Sequence, residues 1–200
     1  MAASAVDRFI DDVRSAVAAG SDAPATDPAA VVDRVVPLMR TLAGDRSWIR
    51  PEFYEVDANQ GFGIVVLHEE PDEDPGGGFL VEAICWAPGR GVAPHDHRTW
   101  GVVVGLDGRE INVDWHRLDD GRVAGRAELE KATETVVDPG VVQTFVPTDI
   151  HSVRNDSDRP SLSLHVYGRN LAKLDRSEFN PLAGTETPCP KRTKRPATAR

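Results

Sequence analysis

The apolar positions change period once along this chain. Between residues 4 and 19, Val6, Phe9, Ile10, Val13 and Val17 recur at helical intervals, which predicts an amphipathic helix, with Gly20 as its C-cap. Residues 21–26 read as a linker. Asp27-Pro28 then opens a second helix, with proline in the first turn, where its missing N–H costs nothing. Val31, Val32, Val35, Val36, Leu38, Met39 and Leu42 supply its apolar face and Gly44 ends it. Both helices are expected to pack on the rest of the chain and to carry no chemistry of their own.

From residue 50 the texture changes. Short apolar runs at 63–68, 79–86, 101–105, 110–117, 134–137, 143–146, 152–155 and 161–167 are separated by Gly, Pro, Asp and Asn. Runs of this length with turn residues between them predict a mainly β fold, an antiparallel sandwich or barrel. The acidic stretch 69–78, which ends in three glycines, reads as a long mobile loop, and 170–180 as a short turn or helix. Residues past Pro181 are rich in Pro, Thr and Lys and are expected to be disordered. The predicted organisation is N-terminal helices over 1–48, a β domain over 49–180 and a disordered basic tail over 181–200.

Two hundred residues with 40% hydrophobic content are enough for one domain with a real core. The net charge of −9 argues against broad nucleic-acid binding. It is unevenly spread: the last ten residues hold five basic groups and no acid, so the first 190 carry −14. Two cysteines, Cys85 in an apolar run and Cys189 in the tail, do not make a disulfide framework. There is no apolar run of transmembrane length, and Asp7, Arg8, Asp11, Asp12 and Arg14 interrupt any signal-peptide core. A soluble, cytoplasmic monomer that binds neither membrane nor nucleic acid is expected.

The candidate chemistry begins at Pro94-His95-Asp96-His97. If this segment is extended, His95 and His97 point the same way, and two imidazoles on one face can share a metal ion. Taken alone, the pair is equally two surface histidines. Asp96 points away from both by the same alternation. Further on, Ser163, His165 and Tyr167 share one face of a strand, and Leu162, Leu164 and Val166 share the other. A row of hydroxyl, imidazole and phenol is costly to bury unless its members pair. Taken alone it reads more readily as the wet outer face of a strand.

Gly89, His95, His97 and Gly108 resemble the first motif of the cupin superfamily, a double-stranded β-helix or jelly-roll barrel. The motif's glutamate position is held by Gly101, or by Val102 at the longer spacing. Gly140, Pro147, His151 and Asn155 resemble the second motif, with the Pro–His distance one residue shorter. The carboxylate ligand is therefore missing while a third histidine is present. A neutral three-histidine face leaves a divalent metal its full charge and suits an anionic ligand such as a thiolate. It also leaves open the positions that a catalytic metal needs.

Cys85-Trp86-x-x-Gly89-x-Gly91, Pro94-His95-Asp96-His97, His151 and Ser163-x-His165-x-Tyr167-Gly168 together resemble the thiol dioxygenases of the cysteine dioxygenase type, bacterial 3-mercaptopropionate dioxygenases included. The resemblance runs from about Phe79 to Arg176. It implies Fe(II) held by His95, His97 and His151, a Ser163–His165–Tyr167 relay, and oxidation of a small thiol (L-cysteine or 3-mercaptopropionate) by O2 to its sulfinic acid. Animal cysteine dioxygenases cross-link a cysteine to the relay tyrosine. Its counterpart here is Gly101, so no cross-link is expected. The arginine that holds the substrate carboxylate in the cysteine enzymes aligns near His68, where no arginine occurs. Arg176, nine residues past Tyr167, matches the arginine of the 3-mercaptopropionate enzymes; Arg90 and Arg98 are also near in sequence. Arg176, His68 and Trp100 are the expected substrate contacts, and Trp86 and Trp100 are either site walls or core. Two rival readings are a cupin dioxygenase of another reaction class, which would not need the relay, and a non-catalytic metal-binding or sensor cupin, which would tolerate loss of Tyr167.

Overall fold

A computed structural model of the chain describes residues 4–19, 27–71 and 78–197. Helix α1 spans Ala5–Ala18 and starts at a reciprocal cap: Ser4 Oγ accepts from the Asp7 amide, and the Asp7 carboxylate accepts from the Ser4 amide. Helix α2 spans Pro28–Gly44, with the Asp27 carboxylate accepting from the Ala29 amide. The expected Gly20 cap, the 21–26 linker and residues 72–77 of the acidic loop lie outside the described residues.

Twelve strands follow in the described residues: β1 Phe62–Glu69, β2 Leu80–Trp86, β3 Gly91–Asp96, β4 Gly101–Asp107, β5 Glu110–Arg117, β6 Leu129–Val137, β7 Val142–Phe145, β8 Ile150–Arg154, β9 Ser161–Tyr167, β10 Ser177–Asn180, β11 Thr185–Pro188 and β12 Arg195–Pro196. They form two six-stranded sheets, ordered β12-β1-β2-β9-β4-β7 and β11-β10-β3-β8-β5-β6. Each of the eight predicted runs lies wholly or mostly in a strand.

The first sheet is covered on both sides, which is why β2 and β9 are buried along their whole length. On the outer face, Val81, Ala83, Leu162, Leu164 and Val166 join Phe9, Val13, Val35 and Met39 of the two helices in one core. The helices thus cover one face of this sheet. The inner face of the same strands carries Glu82, Ile84, Trp86, His165 and Tyr167 into a cavity shared with the second sheet.

The C-terminal segment differs from the sequence expectation. The 170–180 stretch is a short 3-10 turn at Leu171–Lys173 followed by strand β10, and the expected disordered tail contributes β11 and β12. Pairing and charge both hold the tail. β12 runs parallel to β1, with Arg195 opposite Val65, and the tail cations meet the acids of the strongly negative body. Arg192 pairs with Glu178 at 2.8 Å, Lys194 with Glu82 at 2.6 Å and Arg195 with Glu55 at 3.2 Å. Composition hid this order because the tail has few apolar groups; its partners are acids far away in sequence.

The Lys194–Glu82 pair is the consequential one, because Glu82 is only 1% exposed. Burial pushes its carboxyl above the ordinary range, and the Lys194 ammonium pulls it back. Removing one partner of a buried ion pair leaves an uncompensated charge. Lys194→Ala is therefore expected to cost about 3 kcal/mol at neutral pH. The sign follows from the raised pKa: the penalty exists while Glu82 is ionised and fades as falling pH protonates it in the folded state. Urea midpoints of both proteins across a pH series check this; a deficit that stays constant on acidification would contradict it.

Candidate active site

Antiparallel pairing of β3 with β8 sets His95 directly opposite His151, and cross-strand partners share a face. His97 follows just past the end of β3. Among the described residues, the ligand atoms of His95, His97 and His151 lie within 4.8 Å of one another, the one His/Cys/Asp/Glu group of three or more able to hold a metal. Two of the imidazoles are oriented from behind: His95 Nδ1 is 2.9 Å from the Ala93 carbonyl, and His151 Nδ1 is 2.8 Å from Asn112 Oδ1. Both contacts suit an Nδ1–H donor and leave Nε2 free, the arrangement that fixes a metal-binding tautomer. His151 Nε2 and His97 Nε2 face each other at 3.3 Å, and His97 Nδ1 is buried without a partner. Burial holds all three rings neutral, His95 down to about 4 and the other two well below the ordinary value. Neutral, inward-facing, converging nitrogens fit a divalent cation. Asp96 takes no part: its carboxylate accepts from the Ser177 amide at 2.9 Å and pairs with Arg98 at 2.7 Å.

Ser163, His165 and Tyr167 form a continuous buried chain on β9. Tyr167 Oη lies 2.8 Å from His165 Nδ1, and His165 Nε2 lies 2.9 Å from Ser163 Oγ. Burial drops His165 to about 3 and raises Tyr167 above the ordinary phenol value. The imidazole therefore stays neutral and relays hydrogen bonds without carrying charge. The Tyr167 and His97 ring centroids are 4.8 Å apart, so the chain ends beside the histidine cluster.

The cavity between the sheets measures about 540 Å³ and is lined by the three histidines, His165, Tyr167, Trp86 and Arg176 among others. Arg176 is half-buried; its Nε donates to the Leu171 carbonyl at 3.1 Å, and its Nη1 lies 3.5 Å from the Asp96 carbonyl. Its charge thus faces the cavity held by main-chain carbonyls. Glu82 and Lys194 line the same cavity as a closed pair.

Two expected substrate contacts lie elsewhere. His68 is 2.5 Å from Glu70 and stacks near Phe79. Phe62 and Ile64 of β1 face the cavity, and plain alternation would bring His68 inward too. A register shift between Val66 and His68 flips the parity and turns it out. Trp100 does not line the cavity. It packs on the helix-side core with its indole against Gly168, where an added Cβ would meet Nε1 at 2.3 Å. Trp86 is a true wall, tilted against Phe62 at 4.7 Å. Arg98 is tied up by Asp96, and neither it nor Arg90 reaches the cavity wall.

Three groups escaped sequence reasoning: Asn112, Glu110 and Glu82. Asn112 orients His151. Glu110, on β5, accepts from Ser163 Oγ at 3.0 Å. The available signal was the alternating polar set Glu110, Asn112, Asp114 in a strand-length run, which reads as easily as a solvent face.

Residues 29–178 match the family model described as cysteine dioxygenase type I. The chain belongs to that family. Its fold is accordingly a cupin, mainly β with N-terminal helices, and the histidine cluster could hold a metal ion. Similar solved structures include oxalate oxidase in complex with glycolate, at 19% identity and a TM-score of 0.44 over 64% of this chain and 62% of that one. The chain thus spans about three-fifths of oxalate oxidase. A cupin superfamily protein from Desulfitobacterium hafniense matches at 14% identity and a TM-score of 0.41, over 58% of this chain and 84% of that one. The cupin domain of an XRE family transcriptional regulator from Enterobacter cloacae matches at 21% identity and 0.37, over 54% and 96%. Among the described residues, no helix is long and apolar enough to cross a membrane.

Cysteine dioxygenase family members with a thioether cross-link need a sulfur beside the relay tyrosine. Gly101 is opposite Tyr167 in the β4–β9 ladder, and a Cβ there would lie 2.9 Å from Tyr167 Cδ1. The position is the right one, and it carries no sulfur. Intact-mass analysis should find Tyr167 unmodified; a two-hydrogen loss centred on that residue would contradict the assignment. Each of His95→Ala, His97→Ala and His151→Ala should abolish tight metal binding. Asn112→Ala, which removes the group behind His151 and leaves the three ligands in place, should weaken it by about 10- to 100-fold, as read by competition with a chromogenic chelator.

Proposed function

We propose that this chain is an Fe(II)-dependent thiol dioxygenase that converts a small thiol carboxylic acid and O2 to the sulfinic acid. The observation that carries the reading is one cavity containing the neutral histidine triad, the Tyr167 end of the relay and the Arg176 guanidinium. Iron on His95, His97 and His151 would supply a site where thiolate and O2 meet at close range. Arg176 would orient the substrate by pairing its planar fork with the carboxylate. Tyr167 would hold a proton at Oη, braced by His165 Nδ1. Trp86, Phe62, Ile64 and Val153 would exclude water from the reacting end.

The charges in the wall favour 3-mercaptopropionate over L-cysteine. The two acids differ by an α-ammonium group, which needs an acceptor inside the cavity. Glu82 is the buried carboxylate of that wall, and Lys194 already occupies it. A cavity whose guanidinium is held by carbonyls and whose buried carboxylate is engaged suits an acid without an ammonium; the other lining carboxylate, Asp175, is exposed.

Sulfinate formation by the iron-loaded protein, compared between the two thiols, tests the reading. kcat/KM is expected to be higher for 3-mercaptopropionate. Arg176→Ala should lose about 1.5–3 kcal/mol of a charged contact, which corresponds to roughly a ten- to hundredfold fall in kcat/KM. An unchanged value for both thiols would remove Arg176 from the site, and an absence of sulfinate from any thiol would remove the reading itself.

A further inference from the structure

The relay does not end at Ser163. Behind it on β5 stands Glu110, 1% exposed and outside the cavity wall. Its Oε2 is 3.0 Å from Ser163 Oγ, and its Oε1 is 3.4 Å from Asn112 Nδ2. Asn112 Oδ1 is in turn 2.8 Å from His151 Nδ1. The buried Trp86 indole N–H also faces this carboxyl, without reaching hydrogen-bond geometry. One continuous set of hydrogen bonds therefore runs from the outer nitrogen of a metal-site histidine, through Glu110, to the phenol of Tyr167.

The donor and acceptor inventory of this set allows two states. With Glu110 ionised, its carboxylate only accepts. Ser163 then donates to it and accepts from His165 Nε2–H, so His165 Nδ1 is bare and Tyr167 donates to it. The phenol proton points away from the cavity. With Glu110 protonated, every bond from Glu110 through Ser163 and His165 to Tyr167 reverses, and the Asn112 bonds do not. Glu110 donates to Ser163, Ser163 to His165 Nε2, and His165 Nδ1–H to Tyr167 Oη, which frees the Tyr167 O–H for the cavity.

We propose that Glu110 is a positioning residue that sets the direction of the Ser163–His165–Tyr167 chain and stores the proton that Tyr167 presents to the cavity. The proton count balances. When Tyr167 gives up its proton, His165 Nδ1–H replaces it, Ser163 reprotonates His165 at Nε2, and Glu110 reprotonates Ser163 and is left as carboxylate. Reloading runs the same hops backwards, with the incoming proton entering at Tyr167. Burial lifts Glu110 to about 7, against the lowering pull of Ser163, Asn112 and Trp86, so both states are accessible near neutrality. The other titratable groups that feel its charge are Cys85 on β2 and Tyr167 on β9. Both stay protonated in this range, because burial raises both, Cys85 to about 11.

The proposal rests on the dioxygenase reading for its use in turnover, but the direction of the chain belongs to the protein alone. The test is the His165 tautomer in the metal-free, full-length protein, read from long-range proton–nitrogen correlations of 15N-labelled histidine. At about pH 9 the wild type should carry Nε2–H, and at about pH 5 Nδ1–H. Glu110→Gln should carry Nδ1–H at both, because the Asn112 Nδ2 donor holds the amide oxygen and turns the amide nitrogen, a donor only, to Ser163. The same tautomer in the wild type at high pH and in Glu110→Gln overturns the proposal. If that variant does not fold, the wild-type titration decides alone: an exchange of tautomers supports the proposal and a single tautomer throughout overturns it. Turnover provides the separate readout. Glu110→Gln should flatten the limb of the kcat–pH profile near 7 and leave KM within about twofold. A tautomer exchange with no change in that limb would keep the Glu110 assignment and remove Tyr167 from the chemistry.

Discussion

The β3–β8 register, with His95 directly across from His151, is the constraint on which the site depends. A strand slipped by one residue turns every side chain to the other face. Such a slip would send His95 out, carry Asp96 into the cavity, and bury a carboxylate where the protein now has a neutral nitrogen. Both alternatives are penalised from behind. Asp96 is anchored by the Ser177 amide and Arg98, and His151 by Asn112. The metal site is thus specified by groups that do not point at it.

The same logic accounts for a polar interior in a small barrel. Glu82, Glu110, Asn112, His97, His151, Ser163 and His165 are all buried, and each would be expensive alone. Most find partners on another element, Glu82 with Lys194, Glu110 with Ser163 and Asn112 with His151, and His165 pairs with both of its row neighbours on its own strand. The exception is His97, whose Nδ1 has none. The stability this interior forgoes is supplied by the opposite face of the first sheet, where aliphatic side chains meet α1 and α2 in one continuous core.

The sequence made the strands and the helices legible because their period is set by which faces are covered. The His95–His97 pair and the relay row were legible because each lies in a short motif with a fixed period of two; His151, 54 residues past His97, was reached only through the resemblance to the second cupin motif. What escaped had one cause: it depends on neighbours brought close by folding. His68 looked inward until a bulge changed its parity. Trp100 could have been wall or core, and the close approach of Gly168 makes it core. Glu110 and Glu82 are ordinary strand residues in sequence. They become consequential only because Ser163 and Lys194 arrive opposite them from 53 and 112 positions away. The tail looked disordered because its order comes from acids on other elements.

These distant pairs also divide the labour in the cavity. Two buried carboxylates lie near the relay strand; burial raises both, against different partners. Glu82 meets an ammonium at 2.6 Å, which favours its charge. Glu110 meets a hydroxyl and an amide, neutral donors that only partly offset its burial and leave it near 7. Here Glu82 fixes the wall by holding the tail across it, and Glu110 stays free to exchange a proton with the row that ends at Tyr167. Arg176, hydrogen-bonded to carbonyls rather than to a carboxylate, keeps a cation on the cavity wall. The division follows from partner chemistry at each position, which ties the order of the tail to the electrostatics of the cavity.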